Sequence, residues 1–189
     1  RVLGPGAGLS APQAGLHRLA APQIPAPGAL ALISQSQALI GPLIGWANAQ
    51  GLGFSHIVGL GQQADLHLPE FLDGLIDAAA QVVLLILESI EQARPFLSAA
   101  RALARTKPVL ALRVGRSGDT APDQRDAIYD AALRRAGVLR LPSLRELFAT
   151  AALLARNGSM HGDRLAILSN SRCLGLLAVD ALLAEHGHL

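Results

Sequence analysis

The stretch "PGALALISQSQALIGPLIGW", residues 27–46, combines a run of aliphatic residues, a short polar turn and a second apolar segment. The aliphatic run is typical of a buried strand, and the apolar residues after the turn recur at helical spacing. A helix that begins directly after a strand directs several free backbone N–H groups at one place, which suits an anion. The stretch therefore predicts a strand–turn–helix unit, and it raises the question whether the turn at residues 34–37 holds a phosphate.

The same alternation continues along most of the chain. The predicted strands cover residues 29–34, 54–60, 81–88, 108–114 and 137–141. The predicted helices cover residues 37–50, 68–79, 92–106, 122–136 and 143–156. Nearly continuous apolar runs are typical of strands that are covered on both faces. Five such strand–helix units predict an α/β fold with a doubly wound parallel sheet, which binds ligands at the carboxyl ends of its strands.

Two regions stand outside this pattern. Residues 3–28 are rich in Gly, Pro, Ala and Gln without a sustained period, so we predict an extended linker there. The stretch "AILSNSRCL", residues 166–174, resembles "ALISQSQAL", residues 31–39, and a helix is predicted over 172–186. This similarity is either coincidence between two strand–helix turns or the start of a second domain of the same kind, after a boundary at "RNGSMHGD".

A second domain that consisted of one strand and one helix would leave apolar side chains exposed, such as Leu176, Leu177 and Leu182. We therefore predict that this tail packs on a neighbouring or second copy of the chain, or back on the first sheet. The sequence predicts a homo-oligomer for this reason.

The composition excludes several classes of protein. The formal net charge is only +2, and no basic block with interleaved aromatic residues is present, so we expect no nucleic-acid partner. No apolar run approaches the roughly 20 residues of a membrane-spanning helix. The single cysteine, Cys173, cannot form an internal disulfide, which fits a reducing, cytoplasmic location. Arginine dominates the positive charge, and Lys107 is the one lysine of the chain.

The turn after the first strand has two interpretations. In the first, the backbone and side chains of the turn donate hydrogen bonds to an anion; these residues are Ser34, Gln35, Ser36 and Gln37. In the second, the turn simply joins a strand to a helix, with Ser36 as the N-cap residue. Spacing alone favours the second interpretation, because Gln37 is bulkier than the glycine that would let a phosphate approach the backbone.

Two acidic residues follow predicted strands. Asp65 lies near the end of the second strand, where it could orient a ligand or cap the next helix. Glu88 ends the third strand, where a carboxylate is costly unless it is solvated or paired. Glu88 is therefore a candidate functional residue, and its alternative is an ion pair with a neighbouring arginine. His67 has no second histidine or cysteine at metal-binding spacing, so we expect no metal site.

The polar loop after the fourth strand offers Arg113 and Arg116 as ligands for a phosphate or carboxylate. No histidine in the chain is predicted to lie in a strand-end loop beside a suitable serine or cysteine. Cys173 at a helix start could have a lowered pKa, but alone it is interpreted as a small buried residue.

An ordered set of motifs resembles a known family. The set consists of "GPGAGL", "ISQSQAL" with a later "GW", "GFSHIVGLGQQADL", "LLILESI", "FLSAARALARTKPVLALRVGRS", "YDAALRRAGVLRL" and "LRELFATAALLA". In this order the motifs resemble the NDP-forming acyl-CoA synthetases, which are relatives of succinyl-CoA synthetase. They resemble more closely the bacterial protein lysine acetyltransferases in which this module is fused to a GNAT domain.

The resemblance implies a domain arrangement. Residues 1–27 would be a linker that leaves a preceding CoA-binding domain. Residues 28–157 would form a flavodoxin-like domain, and residues 158–189 would begin a second one.

The resemblance also implies roles for single residues. The turn at residues 34–37 would hold phosphate, and Glu88 would brace a phosphohistidine that transfers a phosphoryl group from an acyl phosphate to ADP. In the family, that histidine lies in the loop after the fourth strand.

The sequence departs from the family pattern in several places. The loop from Arg116 to Ile128 has no histidine, so the phosphoryl carrier is missing. Gln37 replaces the glycine of the phosphate turn, and Arg172 stands in the second turn where a glycine-rich stretch is usual. Gly6 stands in the first motif where the family usually has Asn.

The first functional hypothesis is therefore a ligase-like region without ligase activity, which binds acetyl-CoA or CoA or acts as a scaffold within a lysine acetyltransferase. Its cofactor-binding residues would be the turn at residues 34–37 with Asp65 and Arg113, and nucleotide binding is not expected. Its partners would be the other domains of the parent protein. The alternative is a subunit of an ADP-forming acetate–CoA ligase, and a third possibility is an interface module without a ligand.

Overall fold

A computed structural model describes residues 3–115, 122–158 and 165–184, without the side chains of residues 122–125. The described residues form two compact units, Arg1–Ser159 and Met160–Leu189, and each is described by itself. The strands are β1 (Gly8–Ala11), β2 (Leu16–Arg18), β3 (Pro27–Ser34), β4 (Phe54–Gly59), β5 (Val82–Leu87), β6 (Val109–Arg113) and β7 (Leu139–Leu141). The helices are α1 (Gln37–Ala49), α2 (Leu68–Gly74), α3 (Ala93–Ala104), α4 (Pro122–Ala136), α5 (Leu144–Asn157) and α6 (Arg172–Ala184).

The first unit is built on a seven-stranded sheet with the order β2-β1-β4-β3-β5-β6-β7. Strands β3 to β7 pair in parallel, as the alternating pattern of the sequence predicted. All six residues of β5 are buried, which agrees with a central strand that is covered on both faces. The prediction of a flavodoxin-like, doubly wound α/β fold is confirmed.

Two apolar layers cover the faces of this sheet. One layer lies beneath α2, α3 and α4 and includes the fully buried Phe96 and Leu133. The other lies beneath α1 and α5 and includes Leu43 and Leu147. Burial of each such side chain contributes about 1.5–3 kcal/mol, so the two layers together hold the helices to the sheet.

The expected linker over residues 3–28 is wrong in its middle part. Strand β1 pairs antiparallel with β4, and β2 pairs antiparallel with β1, so the sheet has two strands more than predicted. The buried Ser10 side chain donates to the carbonyl of Leu16 and contacts Nδ1 of His17, each at 3.2 Å. A glycine and a serine take the buried positions of β1, and therefore no apolar alternation marks this strand in the sequence.

Helix α2 is shorter than the predicted 68–79, because it ends at Gly74. Beyond it, the carbonyls of Leu75 and Ala78 accept hydrogen bonds from Nζ of Lys107, at 2.9 and 2.8 Å. Burial lowers the pKa of Lys107, and the carboxylate of Asp77 partly offsets this effect. The lysine thus satisfies carbonyl groups that a continued helix would have bonded internally.

In the second unit, the predicted helix is confirmed as α6, whereas residues 165–171 form no strand. A strand needs a neighbouring strand for its backbone hydrogen bonds, and the described residues 165–184 offer none. Leu176 and Leu177 are exposed, as predicted for an isolated strand and helix, while Leu182 is partly buried.

Candidate functional site

The crossovers of the sheet define a switch point between β3 and β5. From β3 the chain passes through α1 to β4 on one side, whereas from β4 it passes through α2 to β5 on the other side. The loops that follow β3 and β5 therefore diverge at their carboxyl ends and leave a crevice, which is where ligands bind in folds of this kind. Both loops carry candidate site residues predicted from the sequence.

Ser34 organises the turn after β3. Its fully buried hydroxyl donates to the carbonyl of Ser36 at 2.7 Å and accepts from the Ser36 amide at 3.1 Å. Ser36 occupies the N-cap position of α1, but its side chain makes no capping hydrogen bond. Ser36 is thus the N-cap residue, as the second interpretation expects, but the hydroxyl that bonds within this turn belongs to Ser34. Among the described residues no side chain is found to cap the first amides of α1, which leaves these amides available to an anion.

Gln35 joins the two loops of the crevice. Its Oε1 accepts hydrogen bonds from the amides of Glu88 and Ser89, at 2.5 and 3.1 Å. Its Nε2 donates to the carbonyl of Ser89 at 2.9 Å. The Gln35 side chain is therefore occupied by the neighbouring loop, and its role is to fix the β5–α3 loop against the β3–α1 turn rather than to contact a ligand itself.

Gln37 begins α1 and lies against the end of β4. A Cβ atom added to Gly59 would lie 2.3 Å from Nε2 of Gln37, so glycine at position 59 makes room for this amide. Gln37 is exposed, and its side chain takes the space between the turn and the end of β4. This placement agrees with the expectation that Gln37 narrows the access of a phosphate to the backbone.

Glu88 follows β5 directly and is exposed. Its backbone amide is held by Gln35, whereas no hydrogen bond or ion pair of its carboxylate is found among the described residues. The alternative prediction, an ion pair with a neighbouring arginine, is therefore not seen in the part of the chain that the structure describes. The loop therefore carries an exposed carboxylate, and its backbone is joined to the turn at residues 34–37 through Gln35.

Arg113, at the end of β6, is engaged by other side chains. Its guanidinium lies 2.7 Å from Asp126 and 4.1 Å from the centre of the Tyr129 ring. Asp126 also accepts hydrogen bonds from Arg140, and these together with those from Arg113 lower the pKa of Asp126 despite its partial burial. Arg113 therefore already has a carboxylate partner, which it shares with Arg140, and this weakens the prediction that it binds a ligand. Arg116 lies outside the described residues.

This cluster also contacts the loop of Glu88. The hydroxyl of Tyr129 accepts a hydrogen bond from the Ile90 amide at 3.4 Å. The β5–α3 loop is thus held by Gln35 at one end and by Tyr129 farther along. Neither Tyr129 nor Asp126 was selected from the sequence, because both lie in an ordinary amphipathic helix and no local signal distinguishes them.

The loop after β4 completes the edge of the sheet. The amide of Leu68 donates to Oε1 of Gln63 at 2.9 Å, and the amide of His67 donates to Oε2 of Glu70 at 3.1 Å. The side chains of Gln63 and Glu70 thus supply capping hydrogen bonds at the start of α2, for which the sequence offered Asp65 as a candidate. Asp65 is exposed. Gln35, Gln63, His67 and Ser89 line a small pocket between the loops, with room for little more than a water molecule.

The "GPGAGL" motif supports this same loop. The amide of Gln62 donates to the carbonyl of Pro5 at 3.0 Å. Gly61 has a φ of +54°, and a Cβ atom there would lie 2.4 Å from the amide nitrogen of Ala7. The motif and the β4–α2 loop therefore pack backbone against backbone, which only glycine permits at position 61.

Other candidate sites receive little support. Among the described residues, no group of three metal-ligating side chains is found and no helix has the length and apolarity needed to cross a membrane. Cys173 is exposed, so its interpretation as a small buried residue is wrong. The helix that carries it has no sheet to pack on within the described part of its unit.

Comparison with known proteins identifies the family. Residues 27–154 match the succinyl-CoA ligase-like flavodoxin domain. The alpha subunit of an ADP-forming acetate–CoA ligase from Pyrococcus furiosus is 32% identical, and the match covers 100% of this chain and 43% of that protein. An ADP-forming 4-hydroxybutyrate–CoA ligase from Nitrosopumilus maritimus is 32% identical over 83% of this chain and 24% of its own length.

A solved structure agrees with these matches. The dinucleotide-forming acetyl-coenzyme A synthetase 1 of Candidatus Korarchaeum cryptofilum, in complex with phosphate and ADP, has a TM-score of 0.88 and 30% sequence identity. The match covers 100% of this chain and 44% of that one, so the chain spans less than half the length of these relatives. None of the three is bacterial or an acetyltransferase, and the narrower resemblance to GNAT-fused proteins is not supported by them. The chain belongs to the NDP-forming acyl-CoA synthetase family, of which it contains the succinyl-CoA ligase-like flavodoxin domain.

Proposed function

We propose that this chain is part of an ADP-forming acyl-CoA ligase, an enzyme that interconverts an acyl-CoA, ADP and phosphate with a carboxylic acid, CoA and ATP. The observation that carries the proposal is the crevice between β3 and β5. There, the first amides of α1, which no side chain is found to cap among the described residues, lie beside a loop that carries the exposed Glu88, whose carboxylate has no partner among those residues. The acetate–CoA and 4-hydroxybutyrate–CoA ligases among its relatives support the same reaction class.

In this proposal the residues of the crevice have different roles. The amides at the start of α1 stabilise the negative charge of a phosphoryl group. The Glu88 carboxylate accepts a hydrogen bond from the residue or substrate that carries the phosphoryl group. Gln35 and Tyr129 hold the Glu88 loop in place, so the carboxylate meets the turn in a fixed geometry. CoA or acetyl-CoA and ADP would be bound by the complete enzyme.

One observation favours a second candidate function. The sequence has no histidine between His67 and His161, so this chain supplies no histidine for phosphoryl transfer from the β5–α3 or β6–α4 loop. The second candidate is therefore a ligase-like domain that binds CoA or acetyl-CoA as a regulatory ligand, or acts as a scaffold, within a protein such as a lysine acetyltransferase. It would share the fold and lack the phosphoryl transfer.

The test uses the full-length protein that contains this chain. Incubation with acetyl-CoA, ADP and radiolabelled phosphate should yield labelled ATP if the first proposal is right, and Glu88→Gln should reduce the rate by about 100-fold or more. The matched control is Glu91→Gln, a neighbouring exposed carboxylate. Calorimetric binding of acetyl-CoA without any ATP formation would support the CoA-binding form of the second candidate, whereas absence of both would contradict the ligase and the CoA-binding function and leave the scaffold role.

A further inference from the structure

The outer surface of α3 and α4 carries a groove that neither the core nor the crevice explains. Its lining residues are Leu97, Arg101, Ile128, Ala131, Ala132 and Arg135, and it encloses about 380 Å³. A second depression continues along α3 past Arg94 and Arg105. We call the two together the arginine groove.

The floor of the arginine groove is apolar. Leu97 lies on α3, and Ile128 lies on α4 with 68% of its surface exposed. Ala131 and Ala132 of α4 also line the groove and add no long side chain to it. An exposed isoleucine in the lining of a groove is a feature of surfaces that bind another apolar side chain.

The rim of the groove is cationic and not neutralised. Arg94, Arg101, Arg105 and Arg135 are exposed, and none forms an ion pair within the described part of the chain. Arg101 donates only to the backbone carbonyl of Arg135, at 3.4 Å. By contrast, the adjacent Arg134 is paired with Asp130 at 2.6 Å. Four positive charges therefore surround an apolar floor in a chain whose formal net charge is only +2.

The spacing of the charges follows the helix. Arg94, Arg101 and Arg105 are separated by seven and four residues, so they lie along one side of α3. At a rise of about 1.5 Å per residue this row is about 16 Å long. A second helix laid along the groove would present its own residues at the same spacing.

We propose that the arginine groove binds an acidic amphipathic helix of a partner polypeptide, with carboxylates against the arginines and an apolar residue against Ile128. This mode of binding combines an apolar anchor with charges that set register and speed association. A twofold contact between the grooves of two copies would oppose arginine to arginine. A nucleic acid would find no aromatic side chain among the lining residues on which to stack a base. The proposal does not depend on the proposed function.

The test measures binding of a designed helical peptide of about 18 residues, with a leucine stripe flanked by glutamates, to the full chain by fluorescence anisotropy. We expect binding that weakens about tenfold in the double variant Arg101→Glu, Arg135→Glu. The matched control is Arg18→Glu with Arg145→Glu, which changes the net charge equally at exposed arginines elsewhere and should leave the affinity unchanged. Ile128→Ser should weaken binding without changing its salt dependence.

Three outcomes would overturn the proposal. The first is equal weakening in the groove variant and the control, which would indicate attraction to net charge alone. The second is tighter binding of an oligothymidine probe than of the peptide. The third is self-association of the chain that Arg101→Glu abolishes, as measured by sedimentation velocity, because the groove would then bind a second copy.

Discussion

Two serine turns with nearly the same sequence occur in this chain, and they share a hydrogen-bond pattern and a following helix but differ in burial and in their tertiary contacts. In the first, the Ser34 hydroxyl bonds the Ser36 carbonyl and amide at 2.7 and 3.1 Å. In the second, Ser169 makes the equivalent bonds to Ser171 at 2.9 and 3.1 Å. Ser34 is buried at the end of a strand, whereas Ser169 is exposed and the described residues before it, 165–168, form no strand.

The comparison separates local from tertiary causes. The turn forms in both places because a serine hydroxyl bonds the backbone two residues farther on, and this needs no neighbour. The strand and the cross-bracing form only where β4, β5 and the loop of Glu88 are present. The residue between the serines shows the same division: Gln35 bonds the next loop, whereas Asn170 is exposed.

The largest expected difference concerns the first serine of each turn. Ser34→Ala should lower the free energy of unfolding by about 1–3 kcal/mol, because it removes two hydrogen bonds and leaves the Ser36 amide without its partner. Ser169→Ala, the matched change at an exposed site, should stay within about 0.5 kcal/mol. Urea denaturation of both variants measures the difference, and equal effects would mean that burial does not distinguish the turns.

The middle residue should affect dynamics more than global stability. Gln35→Ala removes the acceptor of the Glu88 and Ser89 amides, so hydrogen exchange at these two amides should accelerate about tenfold or more. Asn170→Ala should leave the exchange of neighbouring amides unchanged. Hydrogen exchange at Glu88 and Ser89 is measured by NMR. If the two amides stay protected in Gln35→Ala, Gln35 does not hold the β5–α3 loop.

Lowering the pH should weaken the ion-pair cluster around Asp126 in the first unit. Arg140 and Arg113 lower the pKa of Asp126 in the folded state, so Asp126 contributes stability above its unfolded pKa of about 4. This contribution is lost as the pH falls through the lower, folded value. The stability of the wild-type protein should therefore decline below about pH 4, and this part of the decline should be absent in Asp126→Asn. The resonances of α6 serve as the internal control.

The smallest effect on stability is expected at the first residue of each helix. Gln37→Gly should cost about 0.5 kcal/mol or less, while it opens the turn beside Gly59 to a phosphate. Phosphate titration followed by NMR should then show tighter binding at the amides of residues 36–39. Arg172→Gly is the matched change in the second turn, and an equal gain there would show that a turn binds phosphate without its crevice.

The sequence predicts the elements of this fold that show a regular spacing of apolar residues. The runs at β3 to β7 are rich in aliphatic residues, and the stripes of α1 and α3 follow helical spacing, so the sequence predicts these elements to within a few residues. Strands β1 and β2 are not predicted from the sequence, because polar contacts of Ser10 and His17 replace the alternation of apolar residues. The strand expected before Ser169 is absent for the opposite reason, because its residues are apolar and have no partner.

The candidate site was predictable in its position and less so in its contacts. The location of the site at the carboxyl edge of the sheet, with Ser34 and Glu88 in it, follows from the sheet topology, which the alternating pattern predicts. The occupation of Gln35 by the neighbouring loop and of Arg113 by Asp126 depends on residues more than ten positions away in sequence. The first pairing comes from the neighbouring positions of β3 and β5 in the sheet and the second from the packing of α4, and no local pattern encodes either.

The placement of Lys107 has a consequence for chemical labelling. It is the one lysine of the chain, and its amine is held by the carbonyls of Leu75 and Ala78. An amine-reactive reagent needs the neutral, released amine, so acylation of this side chain requires both bonds to open. The rate at which a succinimidyl ester modifies Lys107 therefore reports how often the segment after α2 detaches, and Lys107 is the one lysine side chain that can serve as a probe of that motion.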